Sequence, residues 1–208
     1  MGTLYLVRHG QTQWNLEKRL QGATDNVLNE TGRRQAAELA QRLAGVSFSH
    51  IYSSGLRRAQ ETAAAFAGAT PVTALPALNE RSFGKFEGIY EDQRDAALFA
   101  EFGKRGTVLD DSLDGGESLR VLRERVVDTT HRLAARHPGE LVLLVTHGGV
   151  LDVLYRAATR QDIQAPRTWQ LGNAAINRLL WTHGHGLSLV GWADTQHLEH
   201  ATRDETTA

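Results

Sequence analysis

The sequence contains no cysteine, and this absence excludes several kinds of chemistry. A chain of 208 residues without a thiol forms no disulfides and offers neither a thiolate nucleophile nor cysteine ligands for zinc. No apolar run approaches the length that crosses a membrane. The opening MGTLYLV is followed by Arg8 and His9, where a signal peptide would continue its apolar stretch. We therefore expect a cytoplasmic protein with no membrane partner.

An excess of charge of one sign is also missing. The 23 Lys and Arg residues face 24 Asp and Glu residues, which gives a formal net charge of −1. A strong positive field is what recruits nucleic acid or an anionic membrane surface. The composition therefore predicts neither partner, and a few basic side chains must build any anion site locally. The oligomeric state stays open.

Short apolar runs alternate with helical periods along the chain. Runs at 3–7, 50–54 and 141–146 predict buried strands, while 28–45, 55–69 and 115–140 predict helices. The proline-bracketed segment 72–75 predicts an edge strand, and 175–194 predicts a hairpin. Alternating strands and helices indicate an α/β fold with a largely parallel sheet covered on both faces. The length suits one domain, which we place at 1–197 before a polar tail at 198–208.

Three apolar runs end in polar residues that lead into glycine or into a helix: LVRHG, IYSSGLRRAQETA and LLVTHGG. The carboxyl ends of parallel strands open onto one crevice, where ligands bind. His9, His147 and the region of Arg58 should therefore converge, with Gly10 letting the backbone turn and approach the ligand. Arginine binds phosphate oxygens bidentately, and a neutral imidazole nitrogen can attack phosphorus. The sequence predicts a phosphoryl-binding crevice, to which backbone N–H groups near Gly148 add.

Each of these signals has a simpler explanation when it stands alone. An Arg-His pair at a strand end is usually a solvated terminus, and THGG is often only a strand-to-helix turn. Glu80 in LNERSFGKFEG could be a surface carboxylate paired with Arg81. Taken together, however, the residues supply a nucleophile, charge clamps and a proton donor for one reaction.

Five motifs resemble those of a known family. LVRHGQTQWN, SSGLRRAQETA, LNERSFGKFEG, GGES and VTHGG resemble, in order, the signature blocks of the histidine phosphatase superfamily, in its phosphoglycerate-mutase-like branch. The resemblance implies three α/β/α layers around a mostly parallel, mixed, six-stranded sheet, and a reaction without metal or cofactor. His183 and His185 in the predicted turn THGHGL lack a carboxylate cluster, so we expect no metal there.

The resemblance also implies roles for single residues. His9 is similar to the nucleophile that becomes phosphorylated, Glu80 to the proton donor and His147 to a second pocket histidine, which we expect to be protonated. The catalytic set implied in this way is His9, Glu80, His147, Arg8 and Arg58. The residues expected to bind the phosphate or substrate are Arg8, His9, Asn15, Gln21, Gly22, Arg58, His147 and Gly148.

Three functions stay open. We expect a metal-independent phosphatase, a phosphoric monoester hydrolase that acts on a small phosphorylated metabolite through a phosphohistidine on His9. The segment from Glu80 to His147 is short and its basic residues have acidic neighbours, which disfavours the alternative, a cofactor-dependent phosphoglycerate mutase. LNER nevertheless leans toward the mutase pattern. The least expected function is a non-catalytic phospho-ligand or protein-binding module. Specificity should come from 82–114 and 165–173, where no aromatic platform stands out.

Overall fold

A mixed six-stranded sheet forms the centre of the computed structural model, which describes residues 1–68 and 70–198. The order of its strands is β3-β2-β4-β1-β5-β6. β1, β2, β3 and β4 run parallel, whereas β5 pairs antiparallel with β1 and with β6. The prediction of a mostly parallel, mixed α/β sheet is confirmed. The strands are β1 (Gly2–Arg8), β2 (His50–Ser53), β3 (Val72–Ala74), β4 (Leu141–Thr146), β5 (Ile176–Thr182) and β6 (Gly186–Asp194).

Helices cover both faces of this sheet. β4 alternates between two cores, with Val142 and Leu144 packed on one side and Leu143 and Val145 on the other. Because both faces are buried, the strand is a continuous apolar run rather than an alternating one. α5 and α6 contribute to the first core, and α2 and α3 to the second. The helices are α1 (Gln13–Leu16), α2 (Glu30–Arg42), α3 (Arg57–Ala64), α4 (Ala96–Arg105), α5 (Leu119–Arg136) and α6 (Gly148–Thr159).

Local sequence signals explain most helix boundaries, and one helix had no clear signal. The Asn29 side chain accepts a hydrogen bond from the N–H of Gly32 and caps α2, while Ser118 caps α5 through the N–H of Val121. α4 was not predicted, because none of its residues is fully buried and its apolar stripe is short. This helix contributes Phe99 and Phe102 to a small separate cluster of aromatic and aliphatic side chains.

One residue that we assigned to the polar tail is part of the core. Leu198, assigned to the tail, is buried in the core shared by α2 and α3. The preceding ring of His197 places Nε2 3.1 Å from the carbonyl oxygen of Ala174. The rest of the predicted tail, 199–208, lies outside the described residues. Within the described chain, no helix is long and apolar enough to cross a membrane, and the cytoplasmic location stays a prediction.

Candidate active site

The carboxyl ends of β1 and β4 bring the two predicted histidines together beside a cavity of about 370 Å³. His9 directly follows β1 and His147 directly follows β4. The strands pair in parallel, with Arg8 opposite Thr146, so both rings leave the sheet at the same edge. Their centroids lie 5.1 Å apart at an interplanar angle of 54°. The predicted convergence of strand ends is therefore present.

His9 is held as a neutral ring with Nε2 unprotonated. Its Nδ1 lies 2.7 Å from the carbonyl oxygen of Gly10, so Nδ1 carries the proton and donates it to that oxygen. Nε2 accepts a hydrogen bond from Nε–H of Arg58 at 3.3 Å. Burial, reinforced by the charges of Arg58 and Arg8, lowers the pKa of His9 well below its usual value. Nε2 is thus a nucleophilic nitrogen at neutral pH.

His147 is fully buried behind His9, and the cavity wall does not include it. Its Nε2 lies 2.7 Å from Oγ of Ser54, while no described residue forms a hydrogen bond with its buried Nδ1. Burial, followed by the charge of Arg58, lowers the pKa of His147 well below its usual value. The protonated ring that we expected is therefore not the form that this environment favours.

Arg58 is fixed by the loop that follows α1. Its Nη1 and Nη2 donate to the carbonyl oxygens of Thr24 at 2.7 Å and Gly22 at 2.8 Å. Burial lowers the pKa of Arg58 to about 10, and the group stays charged at neutral pH. Arg57, its neighbour on the helix, is exposed, as expected from the different faces that adjacent helical residues occupy.

Arg8 reaches the same cavity from the last position of β1. Its Nη1 donates to the carbonyl oxygen of Leu171, in the loop before β5. Arg8 also lies near Gly148, where an added Cβ would be 3.7 Å from the guanidinium carbon. The two arginines therefore approach the cavity from different elements, Arg8 from β1 and Arg58 from α3, as a clamp around a phosphoryl group requires.

Glu80 is positioned by backbone groups at the start of α6. Its Oε1 and Oε2 accept hydrogen bonds from the N–H groups of Arg81 at 2.8 Å and Gly149 at 2.9 Å. A Cβ at position 149 would lie 2.4 Å from Oε1, so any other residue there would force the Glu80 carboxyl group to shift. The Arg81 side chain instead donates to the carbonyl oxygens of Gly106 and Glu117. In the described structure, Glu80 and Arg81 form no ion pair, so the simpler explanation for Glu80 is wrong.

The other predicted binding residues line the cavity as well. Asn15 Oδ1 accepts from the N–H of Thr12 at 3.1 Å, and Gln21 Oε1 accepts from the Thr12 hydroxyl at 2.9 Å. The amide NH₂ groups are consequently the ends that Asn15 and Gln21 can offer to a ligand. Gly22 adopts a positive φ of 54°, and Gly148 begins α6 beside the cavity.

Gly10 allows close packing between two backbone segments. A Cβ on Gly10 would lie 2.5 Å from the carbonyl oxygen of Gly32. A Cβ on Gly32 would lie 2.0 Å from the carbonyl oxygen of Gln11. The loop after β1 therefore rests directly on the first turn of α2. The expected approach of Gly10 to the ligand stays a prediction, and its packing partner Gly32 was not predicted.

A family model of the histidine phosphatase superfamily, branch 1, matches residues 4–195. The chain belongs to the histidine phosphatase superfamily. The predicted family is therefore confirmed over nearly the whole described chain.

Individual relatives of this histidine phosphatase include both phosphatases and mutases. A metal-independent phosphoserine phosphatase of Arabidopsis thaliana is 35% identical, over 94% of this chain and 82% of its own length. A probable phosphoglycerate mutase GpmB of Cronobacter sakazakii is 34% identical over 97% of both chains. A phosphoserine phosphatase of Entamoeba histolytica, solved as a mutant with phosphoserine, has a TM-score of 0.83 and 29% identity over 95% of this chain and 100% of its own. A phosphoric monoester hydrolase, with mutase as alternative, is confirmed as the type of enzyme.

The mouth of the histidine phosphatase cavity contains residues that the sequence did not single out. Burial raises the pKa of the half-buried Glu91, and the charges of Arg8, Lys18 and Arg167 oppose this effect. Glu91 therefore interacts electrostatically with Lys18 and Arg167. Neither of these cations was among the residues predicted to bind the phosphate. We call the following set the mouth: Lys18, Phe83, Glu91, Phe99, Phe102 and Arg167.

An aromatic wall is part of this mouth, and the prediction that no aromatic platform stands out is wrong. Phe83 lies on the loop after Glu80, and its ring is 5.2 Å from that of Phe102 in α4. Phe99 and Phe102 are three positions apart in the helix, so they share a face. The spacing is visible in the sequence, but it predicts a shared face only if 96–105 is known to be a helix.

Proposed function

We propose that this histidine phosphatase hydrolyses a small phosphomonoester whose alcohol carries both an ammonium group and a carboxylate, with phosphoserine as the substrate to test. The observation that carries the proposal is the carboxylate of Glu91 in the mouth, within reach of the cations Lys18 and Arg167. A carboxylate beside cations is complementary to a zwitterion. The phosphoserine phosphatases among the relatives support the same choice.

In the first step, Nε2 of His9 attacks phosphorus in line with the ester oxygen. The N–P bond forms as the P–O bond to the alcohol breaks, and Glu80 gives its proton to the departing alkoxide. Arg8 and Arg58 hold the equatorial oxygens, where negative charge must be stabilised during transfer. The catalytic contribution of the two arginines is then mainly electrostatic and positional.

In the second step, water attacks the phosphohistidine. Glu80, now a carboxylate, accepts a proton from the water as the P–O bond forms, and the N–P bond breaks to restore neutral His9. Free phosphate leaves and Glu80 is again protonated. One carboxyl group thereby serves both steps, first as acid and then as base.

His147 supports both steps as a neutral donor. The Ser54 hydroxyl lies 2.7 Å from Nε2 of His147, and a bond donated by that hydroxyl leaves the ring proton on Nδ1. Nδ1 is buried and has no hydrogen-bond partner among the described residues, and the centroid of the ring lies 5.1 Å from that of His9, the residue that carries the phosphoryl group. A phosphoryl oxygen is the acceptor that satisfies it.

A phosphoglycerate mutase is the second candidate. Lys18 and Arg167 favour it, because a doubly phosphorylated ligand needs cations beyond Arg8 and Arg58. Glu91 opposes it, since a carboxylate in the mouth repels a second phosphate. The basic residues around α4 do not help either, because Lys85 pairs with Glu101 and Asp114, while Arg105 pairs with Glu101, Asp111 and Asp114.

The Glu91→Gln variant tests the proposed substrate class. Loss of one charge-assisted contact should lower kcat/KM for phosphoserine by roughly 10- to 100-fold. The value for 3-phosphoglycerate, which has no ammonium group, should stay the same or rise. Glu101→Gln is the matched control, since Glu101 belongs to the same segment but does not line the cavity. An equal change for both substrates would refute the pairing of Glu91 with an ammonium group.

Isotopically labelled 3-phosphoglycerate separates the two candidate functions. A phosphatase releases glycerate and free phosphate, whereas a mutase returns mainly 2-phosphoglycerate. We expect hydrolysis. Predominant formation of 2-phosphoglycerate would overturn the phosphatase proposal and leave the phosphohistidine step intact.

A further inference from the structure

A second histidine cluster lies at the end of the sheet opposite the cavity. His50 is the first residue of β2, His137 directly follows α5, and Glu140 directly precedes β4. The catalytic groups, by contrast, follow the carboxyl ends of these parallel strands. His50 and Ser54 are four residues apart along the same strand, which corresponds to roughly 13 Å. The cluster is therefore separate from the site where His147 bonds to Ser54.

One carboxylate oxygen joins the three side chains. Oε2 of Glu140 lies 3.0 Å from Nε2 of His50 and 3.2 Å from Nδ1 of His137. All three potential ligand atoms lie within 4.8 Å of one another, and they form the one such group of three found among the described residues. Two ligands on a tetrahedral zinc, each bound at 2.0–2.1 Å, are roughly 3.3 Å apart. The two separations from Oε2 of Glu140, 3.0 and 3.2 Å, are close to that value.

Hydrogen bonding alone does not account for this arrangement. The Oε2 atom of Glu140 is buried, yet no group in the described chain donates a well-aligned hydrogen bond to it. The ring nitrogens of His50 and His137 lie 3.0 and 3.2 Å away, within ion-pairing distance. A buried carboxylate oxygen without a donor is costly. A cation between the three atoms would satisfy Oε2 together with both rings.

The surroundings of His137 match those of a metal ligand. The Tyr52 hydroxyl lies 2.9 Å from Nε2 of His137, which leaves Nδ1 as the nitrogen toward Glu140. Such an outer partner on the second ring nitrogen fixes the orientation of ligating histidines.

We propose that His50, His137 and Glu140 bind one Zn²⁺ ion that takes no part in the phosphoryl transfer. Two imidazoles and a carboxylate are donors that suit this ion. The side chains of His50 and Glu140 are 41% and 40% exposed, so solvent can reach a fourth coordination position. The ion links the starts of β2 and β4 to the end of α5. It therefore stabilises the fold against unfolding, since an ion bound to the native state favours that state.

Titration of the chelator-stripped, full-length protein with ZnCl₂ in a phosphate-free buffer tests the proposal. We expect one ion per chain, and at 100 times Kd a rise in Tm of roughly 5–10 °C. Binding should weaken at least 10-fold in His50→Ala and in Glu140→Gln, with the Tm rise lost. His183→Ala, which alters a histidine in the β5–β6 turn, is the matched control and should bind zinc as the wild type does.

Circular dichroism and phosphatase activity without zinc show whether the variants are folded, and Glu140→Gln provides a second variant should His50→Ala be damaged. If zinc bound at His9 and His147 instead, His50→Ala and Glu140→Gln would bind it as well as the wild type does. That result would overturn the proposal. So would a wild-type protein that takes up no Zn²⁺ at millimolar concentration.

Discussion

The floor and the mouth of the cavity are built in different ways. The floor side chains lie at the ends of strands or at the starts of helices, or they contact such positions. Hydrogen bonds with backbone groups orient Arg58 and Glu80. The mouth side chains come from loops and from α4, and they are half-buried or exposed. We define the floor as Arg8, His9, Arg58 and Glu80, which line the cavity, together with His147, which is buried behind His9.

This difference separates two kinds of function. A floor fixed by the main chain keeps the nucleophile, the clamps and the proton donor in one geometry, which phosphoryl transfer requires. A mouth made of side chains on irregular segments can accept a different alcohol without disturbing the floor. Changes in the floor should therefore alter the rate with every substrate, whereas changes in the mouth should alter the choice between substrates.

The largest expected effect is loss of the nucleophile. His9→Ala should lower kcat for every phosphomonoester by roughly 10⁴-fold or more, because the arginines cannot replace the attacking nitrogen. Steady-state release of phosphate from phosphoserine and from p-nitrophenyl phosphate measures the effect. His183→Ala is the control and should retain full activity. A variant that kept activity with one ester only would break the distinction between floor and mouth.

Glu80→Gln should have the next largest effect. A poor leaving group needs a proton in the transition state, so phosphorylation by phosphoserine should slow by roughly 10²- to 10⁴-fold. With p-nitrophenyl phosphate the same step should slow much less, because the phenolate needs little protonation. Rapid quench of the phosphorylation step measures both. Equal slowing would remove the proton-donor role from Glu80.

Gly149→Ala offers a smaller test of how the backbone positions the floor. The added Cβ would lie 2.4 Å from Oε1 of Glu80, so the carboxyl group must shift. We expect kcat for phosphoserine to fall by about 10- to 100-fold, the scale of a misplaced catalytic group. Gly45→Ala is the matched control, since nothing lies within 4 Å of a Cβ at that position. Unchanged kcat in Gly149→Ala would contradict this account of Glu80.

The two buried histidines should also make stability depend on pH. Their pKa values in the folded protein lie below the usual value of 6.5, so below that pH the unfolded state binds more protons. The free energy of unfolding should therefore fall as the pH drops from 6.5, by up to about 1.4 kcal/mol per pH unit for each ring. Urea titrations of the wild type and His147→Asn measure this, and the variant should show the shallower slope. Identical slopes would mean that His147 is not held neutral.

The smallest expected effect is that of a chelator. The floor transfers the phosphoryl group through His9, Glu80 and two arginines, so EDTA should leave kcat for phosphoserine within about twofold of its value without chelator. Removal of a zinc ion at His50 should change Tm but not this rate. Loss of turnover with EDTA, restored by a divalent ion, would contradict the metal-independent mechanism.

The difference between the floor and the mouth also explains which site residues could be predicted from the sequence. His9 and His147 were predictable because each follows an apolar run, and parallel strands bring such positions to one edge. Glu91 and Arg167 were not, because they lie on irregular segments whose position depends on the packing of α4. Ser54 could have been predicted, since it follows β2 in the same way as His9 follows β1. Gly32 was not, because its need for glycine arises from contact with Gln11, which is distant along the chain.

For the fold as well, local sequence patterns predicted some elements and missed contacts between distant parts of the chain. β4 and the β5–β6 hairpin were predicted closely, since continuous apolar runs and a Gly-His-Gly turn are local signals. The burial of Leu198 was not, because it is a single apolar residue in a polar stretch. Its burial depends on the core beneath α2 and α3, and no local pattern reports that contact.

The position of the phosphoryl group during turnover tests the central claim most directly. Wild-type protein mixed with excess phosphoserine is quenched in base within milliseconds, and the labelled peptide and nitrogen are identified by mass spectrometry and phosphorus NMR. We predict one phosphoryl group on Nε2 of His9, since Nδ1 is engaged by the carbonyl oxygen of Gly10. A phosphoryl group on His147, on Nδ1 of His9 or on no histidine at all would contradict the account.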